Sequence, residues 1–334
     1  MNKELMGALD ELEREKNISK ETLLDAIEQS LIQAYKNHFG KADNVHVTIN
    51  RETGDFSVYA DRKVVEFVED PAEEVSLVEA QKQNTNAEVG DILKVPVHSD
   101  KFGRIATQNA KNVILQKIRE EERKVLFDQY HGNEKEVVTG IVQRVVGHNV
   151  SVNLGKADAI LAENEQVKGE TFKPTERIKV YILEVKDTPK GPRILVSRTH
   201  PGLVKRLFES EVAEVKDGTV EIKSIAREAG SRTKLAVWSN DPDVDPVGAC
   251  VGVNGARVSA IVNELRGEKI DIINWDENPA ILIENALSPA KVIAVMADPD
   301  EKTALVVVPD YQLSLAIGKE GQNARLAARL TGFK

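Results

Sequence analysis

The sequence predicts a multidomain α+β protein: a mixed N-terminal domain ending in a long helix, a small all-β barrel, and two copies of one α/β module. Three observations carry this. The hydrophobic period alternates between helical and strand-like spacing over the first 130 or so residues, the next stretch reads as short strands, and residues 201–334 repeat themselves at an offset of 66. Composition agrees. Of 334 residues 41% are apolar but only 4% aromatic, which favours several small aliphatic cores over one large one.

Residues 1–39 read as helix. Ser19 stands as a cap before Lys20, and Leu23, Leu24, Ile27, Leu31 and Ala34 recur at helical spacing until Gly40. The period then becomes two. Val45, Val47 and Ile49 alternate with polar residues, turn at Arg51–Gly54, and are answered by Phe56, Val58 and Ala60 as a hairpin. An acidic stretch at Glu69–Glu74, a short helix and a strand over Asp91–His98 follow. Gly103–Tyr130 then forms one long helix without proline, broken by Gly132 and Asn133. Its basic side chains Lys101, Arg104 and Lys111 read either as a solvated face or as a stripe turned toward RNA.

In residues 133–200, Val137–Val145 pairs with Val150–Leu154, and Ile178–Val185 pairs with Arg193–Ser197 around an Asp187-Thr188-Pro189-Lys190-Gly191-Pro192 turn. Short strands at such intervals predict a closed barrel of the OB type, because an open sheet of this size would leave bare edges. Arg144, His148 and Tyr181, with Phe172 and Lys156, are its candidate cation-and-ring surface for stacked bases.

The repeat supplies the strongest functional signal. Gly252-Val253-Asn254-Gly255 maps onto Gly318-Lys319-Glu320-Gly321; the apolar residues Val247, Cys250 and Val251 before it map onto Leu313, Ala316 and Ile317. Each copy runs strand, strand, helix, G-x-x-G, helix. That frame is the KH domain, whose loop clamps about four backbone nucleotides. The glycines let a sugar–phosphate backbone approach, and the helix that follows offers free N–H groups. Candidate RNA contacts are therefore Gly252, Val253, Asn254, Gly255 and Arg257 in the first copy. Gly318, Lys319, Glu320, Gly321 and Arg325 are those of the second. The second copy ends at Lys334, without a counterpart to the strand-like Lys269–Trp275 of the first.

Charge and motifs bound the remaining possibilities. The net charge of −9 divides into −7 over 1–132, +2 over 133–200 and −4 over 201–334, so RNA binding here rests on loop geometry rather than bulk attraction. Gly318-Lys319 lacks the upstream glycine and the Ser or Thr of a phosphate-binding P-loop. The six histidines never fall at metal-ligand spacing, and the one cysteine, Cys250, has no intrachain partner. No metal, cofactor or nucleophile–base motif is expected. Nor is a signal peptide or membrane span, which makes a cytoplasmic protein the expectation.

Ile178–Val212, Leu315–Gly332 and the N-terminal segment LLDAIEQSLIQAYK resemble the NusA family of bacterial transcription factors, and the resemblance extends over the whole chain. Family members commonly place a basic residue inside the first G-x-x-G loop, where this chain has Asn254. The resemblance implies a non-enzymatic, monomeric factor with four parts. These are a domain over 1–132 that binds core RNA polymerase, an S-one-type barrel over 133–200, and KH domains over 201–276 and 277–334. It implies nascent single-stranded RNA and other antitermination factors as further partners, and effects on pausing, hairpin-dependent termination and antitermination. Two other readings fit the modules: an RNA-processing enzyme of the exoribonuclease kind, and an RNA-binding protein acting at the ribosome.

Overall fold

The structure, a computed structural model, describes residues 2–16, 18–39, 44–96 and 100–334. It divides into two compact units, Met1–Val125 and Leu126–Lys334. Among the described residues no helix is long and apolar enough to cross a membrane.

In the first unit the expected helical stretch is two helices, α1 (Asn2–Lys16) and α2 (Lys20–Phe39). Gly40, expected to end α2, lies outside the described residues. Leu23, Leu24, Ile27 and Leu31 are at most 1% exposed, so one face of α2 is spent on the core. That face meets Val45, Val47 and Ile49 of β1 (Val45–Ile49), whose alternating burial satisfies the period of two. β2 (Phe56–Val65) is the hub of the sheet: it pairs antiparallel with β1 and with β4 (Ile92–Pro96), and parallel with β3 (Glu74–Ser76). Around its far end Val64, Val75, Ala80, Ala87 and Val95 build a second small core, which α3 (Leu77–Gln83) closes.

The long helix is α4 (Asp100–His131). Its last turn belongs to the second unit: Leu126, Phe127 and Tyr130 pack on the barrel core, and the Tyr130 hydroxyl donates to the Leu154 carbonyl at 3.1 Å. Apolar residues at the end of the long helix therefore complete the barrel core.

The barrel is closed in the order β5 (Val137–Val146), β6 (Asn149–Asn153), β7 (Asp158–Leu161), β9 (Arg193–Ser197), β8 (Arg177–Lys186). Val142, Val150, Val152, Leu161, Ile182, Ile194 and Val196 fill it. Gly140 is required where β5 crosses β6, since a Cβ there would collide with Val152.

The first α/β copy comprises α5 (Pro201–Glu211), α6 (Ala213–Lys216), β10 (Val220–Glu228), β11 (Arg232–Ser239), α7 (Pro246–Val251), α8 (Ala256–Glu264) and β12 (Lys269–Asn274). The second comprises α9 (Pro279–Ala286), β13 (Ala294–Asp298), β14 (Thr303–Val307), α10 (Asp310–Ile317) and α11 (Gln322–Thr331). In the first, β12 lies parallel to the central β11. In the second, Lys334 bonds to Lys302 and Ala304 along the matching edge of β14.

Buried ions fix the barrel to the first copy. Arg198, 1% exposed, forks onto Glu170 at 2.6 and 2.7 Å and donates to the carbonyls of Lys179 and Glu264. Within the first copy, Arg227 holds the fully buried Glu268, which also accepts from Thr233 and the Gly230 N–H. Burial opposes that charge, yet these donors keep the carboxyl below its ordinary value. The outer face of the first sheet, with Ala226, Ala236 and Ile273, is covered by Leu282, Ile283 and Ala286 of α9 and Leu326, Ala327 and Leu330 of α11.

Candidate nucleic-acid interface

The two G-x-x-G loops have the same backbone. Gly252 has φ 76° and ψ 174°, Gly318 φ 77° and ψ 172°. Asn254 and Glu320 both turn left-handed, at φ 51° and 54° with ψ 27°. Gly255 and Gly321 follow at φ 74°. Dihedrals like those of the first glycine are essentially closed to other residues. Space agrees: a Cβ on Gly318 would lie 2.8 Å from the Asn323 backbone nitrogen, and one on Gly252 2.7 Å from Arg257 Cγ.

Each loop opens directly onto a helix, α8 or α11, that no side chain caps. The first-turn N–H groups thus keep their partial positive charge for an outside acceptor. Val253, 82% exposed, and the exposed Asn254, Lys319 and Glu320 form the loop tips. This is an arrangement for holding an anionic backbone close to main chain.

Behind the loops sits a brace that the sequence does not announce. Arg257 and Asn323 occupy equivalent positions at the 66-residue offset, and both donate to equivalent carbonyls, Ala249 at 2.7 Å and Leu315 at 3.3 Å. Arg257 adds an ion pair with Glu214 of α6 at 2.9 Å. Asn323, 2% exposed, adds the carbonyls of Ala316 and Leu287. Different side chains thus do one job, tying the helix after the loop to the helix before it.

The second loop is also tied to the first copy. From the start of α11, Arg325 donates to Glu228 of β10 at 2.5 and 3.1 Å, and Gln322 donates to Glu228 and Ser231. The Arg325 guanidinium holds the Glu228 carboxyl down to about 2 against the opposing effect of burial, with Gln322 assisting.

Comparison with known proteins covers the same architecture part by part. Residues 4–124 match the NusA N-terminal domain, 132–197 the S1 RNA binding domain, 198–275 the NusA-like first KH domain and 279–334 the NusA-like second KH domain. The transcription termination/antitermination protein NusA of Bacillus subtilis (strain 168) is 56% identical over the full chain, which spans 90% of that relative. The chain belongs to the NusA family. NusA proteins of Halalkalibacterium halodurans and Thermus thermophilus are 54% and 42% identical over the full chain, which spans 87% and 89% of them.

The NusA-family fold places the expected RNA contacts unevenly. Arg144 and His148 are exposed together at the β5–β6 hairpin, with His148 Nδ1 3.7 Å from Glu163. Lys111 is exposed on α4; the side chain of Arg104 lies outside the described residues. Tyr181 must be corrected. It is 7% exposed, stacks on His200 at 4.6 Å and leaves no room for a side chain at Gly202, so its ring has no free face for a base. Burial accordingly pushes its phenol up and the His200 imidazole down. Arg257 and Arg325 hold the intramolecular acceptors described above while their side chains stay 35% and 43% exposed, so they shape the loops and keep N–H donors facing outward. Phe172 carries Arg266 over its ring at 5.2 Å. Cys250, two residues before the first loop, is fully buried, and burial pushes its thiol up to about 11. It packs rather than reacts.

Proposed function

We propose that this chain is a transcription factor that binds RNA polymerase through its N-terminal domain and nascent single-stranded RNA through its barrel and KH domains. Bound there, it modulates pausing, hairpin-dependent termination and antitermination, in the cytoplasm where RNA is made. The observation that supports this best is the pair of loops with one backbone geometry, the second anchored to the first copy through Glu228. The relatives, named for transcription termination and antitermination, point the same way. The loops offer N–H donors and glycines, which hold a phosphodiester; they contain no nucleophile to cut one.

Charge sets the expected mode of RNA binding. Residues 133–334 carry a net charge of −2, so main-chain donors must supply much of the affinity. On single strands the log–log salt slope is about −0.7 per neutralised phosphate. A slope shallower than about −5 is therefore expected. The deciding experiment is single-round transcription by Bacillus subtilis core polymerase on a template with a pause and a hairpin terminator. Added protein lengthens the pause and raises termination, and replacing Asn254 and Lys319 together by Asp abolishes both effects. Wild-type protein that binds RNA but leaves pausing and termination unchanged refutes this function.

A further inference from the structure

Both tryptophans of the chain meet at one corner of the first KH sheet, outside the two G-x-x-G loops. Trp238 lies near the end of β11, and Trp275 follows the last residue of β12. The Trp275 N–H donates to the Val237 carbonyl at 2.8 Å, which extends the strand pairing by one rung and sets the indoles side by side. Their centroids are 5.7 Å apart and their planes cross at 87°. Trp275 backs onto the apolar seam between the two copies, whereas Trp238 is left 39% exposed. A cation already sits at this corner: Lys223 of β10 holds its ammonium 5.6 Å from the Trp275 ring centre. Indole is the side-chain ring that attracts cations most strongly.

The topology that joins the rings also gathers carboxylates around them. β10 runs antiparallel to β11 and β12 runs parallel to it, so β10 starts where the other two end. Segments 217–223, 238–245 and 275–278 therefore share that end of the sheet. They hold seven carboxylates against Lys223 alone, a net charge of −6 where the whole of 201–334 carries −4. The corner is fastened in place. The Asn240 amide donates to the Gly218 carbonyl at 3.0 Å and to Glu221 at 2.8 Å. Asp241 and Asp276 each accept the main-chain N–H two residues on, at 2.9 and 2.7 Å. Among the described residues, Glu221 alone of the seven carboxylates is in an ion pair, with Lys223. Asp241, Asp243 and Glu277 are exposed.

Charge and ring chemistry together select the ligand. Such a rim repels a phosphate backbone and attracts a cation. A guanidinium lies flat on an aromatic face and still points paired N–H donors at carboxylates along its edge, which a compact ammonium does not do. We propose that this corner docks an arginine-bearing segment of a protein partner, its guanidinium seated against Trp238 and its N–H groups directed at the carboxylates at the end of the sheet. The site is separate from both loops and rests on neither the RNA nor the polymerase reading.

Because the chain has no other tryptophan, its indole fluorescence reports on this corner directly. Hexa-arginine, hexalysine and oligouridine are titrated into the whole chain as wild type, as Trp238→Leu, and as Asp241→Asn with Asp276→Asn; affinities are read by calorimetry. The Asn pair keeps the oxygen that each turn uses and removes only charge, and Leu keeps an apolar group beside Trp275, so thermal melts should stay near the wild type. Hexa-arginine is expected to perturb the wild-type fluorescence saturably and to bind more tightly than hexalysine. Trp238→Leu should cost about tenfold or more of that affinity, as loss of an anchor does. The Asn pair should weaken binding and flatten its salt dependence. Hexa-arginine affinity that both variants leave intact overturns the proposal, and so does equal binding of the two peptides. Oligouridine affinity that falls with Trp238→Leu while hexa-arginine leaves the indoles unperturbed makes the corner a base-stacking platform, which overturns it as well.

Discussion

Gly318 and Gly321 sit three residues apart in one exposed loop, yet alanine should affect them very differently. At Gly321 the backbone is left-handed, φ 74° and ψ 14°, and the nearest atom to a new Cβ is the Arg325 guanidinium at 3.9 Å. Only the left-handed penalty of about 1–2 kcal/mol applies, partly offset by about 0.4–1 kcal/mol from restricting the unfolded chain. The net cost is about 1 kcal/mol. At Gly318 the ψ of 172° adds a region nearly closed to side chains, costing about 1–3 kcal/mol, and the 2.8 Å approach to the Asn323 backbone adds a further overpacking cost of about 1–3 kcal/mol. Asn323 cannot retreat, since it is buried and bonded to three carbonyls. A total of about 3 kcal/mol follows. For a unit of this size each kcal/mol moves Tm by about 2–4 °C. Gly318→Ala should therefore melt roughly three times further below the wild type than Gly321→Ala. Urea unfolding followed by tryptophan fluorescence is a fitting assay, because Trp238 and Trp275 meet edge to face beside the junction of the two KH domains. The first-copy equivalent, Gly252→Ala, should fall between the two, since its obstacle is the flexible Arg257 stem. Equal losses for Gly318→Ala and Gly321→Ala would refute the claim that the first glycine is required by space as well as by dihedral.

Glu228 sits about 2 when folded against an ordinary 4.5, so its contribution is complete above the unfolded value and disappears as pH falls from about 5 toward 2. Glu228→Gln should flatten that part of the stability–pH curve, and an unchanged acid limb would show that the Arg325 contact carries no weight. Arg198→Ala leaves Glu170, 5% exposed in its side chain, with only the more distant Arg266 at 4.0 Å and should cost about 3 kcal/mol by denaturant titration; a loss under about 1 kcal/mol contradicts the weld between barrel and first KH domain. Lys319→Asp places a carboxylate at an exposed loop tip, so RNA affinity should fall while the melt stays put. Equal affinity for RNA in both proteins would remove that tip from the interface.

Much of this was legible in the sequence for a physical reason: the loops are encoded locally. Glycine is the residue that tolerates φ near +75° with ψ near 180°, so Gly252 and Gly318 announce their own backbone. The barrel was legible through alternation of small aliphatics, and α2 through Leu23, Leu24, Ile27 and Leu31. What stayed hidden depends on distant partners. Tyr181 alternates as a barrel-surface ring should, but α5 brings His200 and Gly202 onto it. The acceptors that Arg257 and Arg325 hold, Glu214 and Glu228, are likewise far away in the chain. Asn323 could have been suspected, being a polar residue at the position of a guanidinium in the other copy. The end of α4 misled because Leu126 and Tyr130 serve the barrel, which lies later in the chain.

On the proposed reading of the two loops as RNA grips, Glu228 and the apolar seam beneath it turn the pair into a gauge. Each loop alone asks only for a flexible strand that can lie against main chain, a demand that most unpaired RNA meets. With α9 and α11 packed on the first sheet and Arg325 locked to Glu228, the separation of the grips belongs to the protein and not to the ligand. A transcript fills both only if the nucleotides between its two contact stretches span that separation, and only then does the second grip act at high effective concentration. Selection under that reading falls on spacing and on freedom from hairpins between the sites, before any base edge is read.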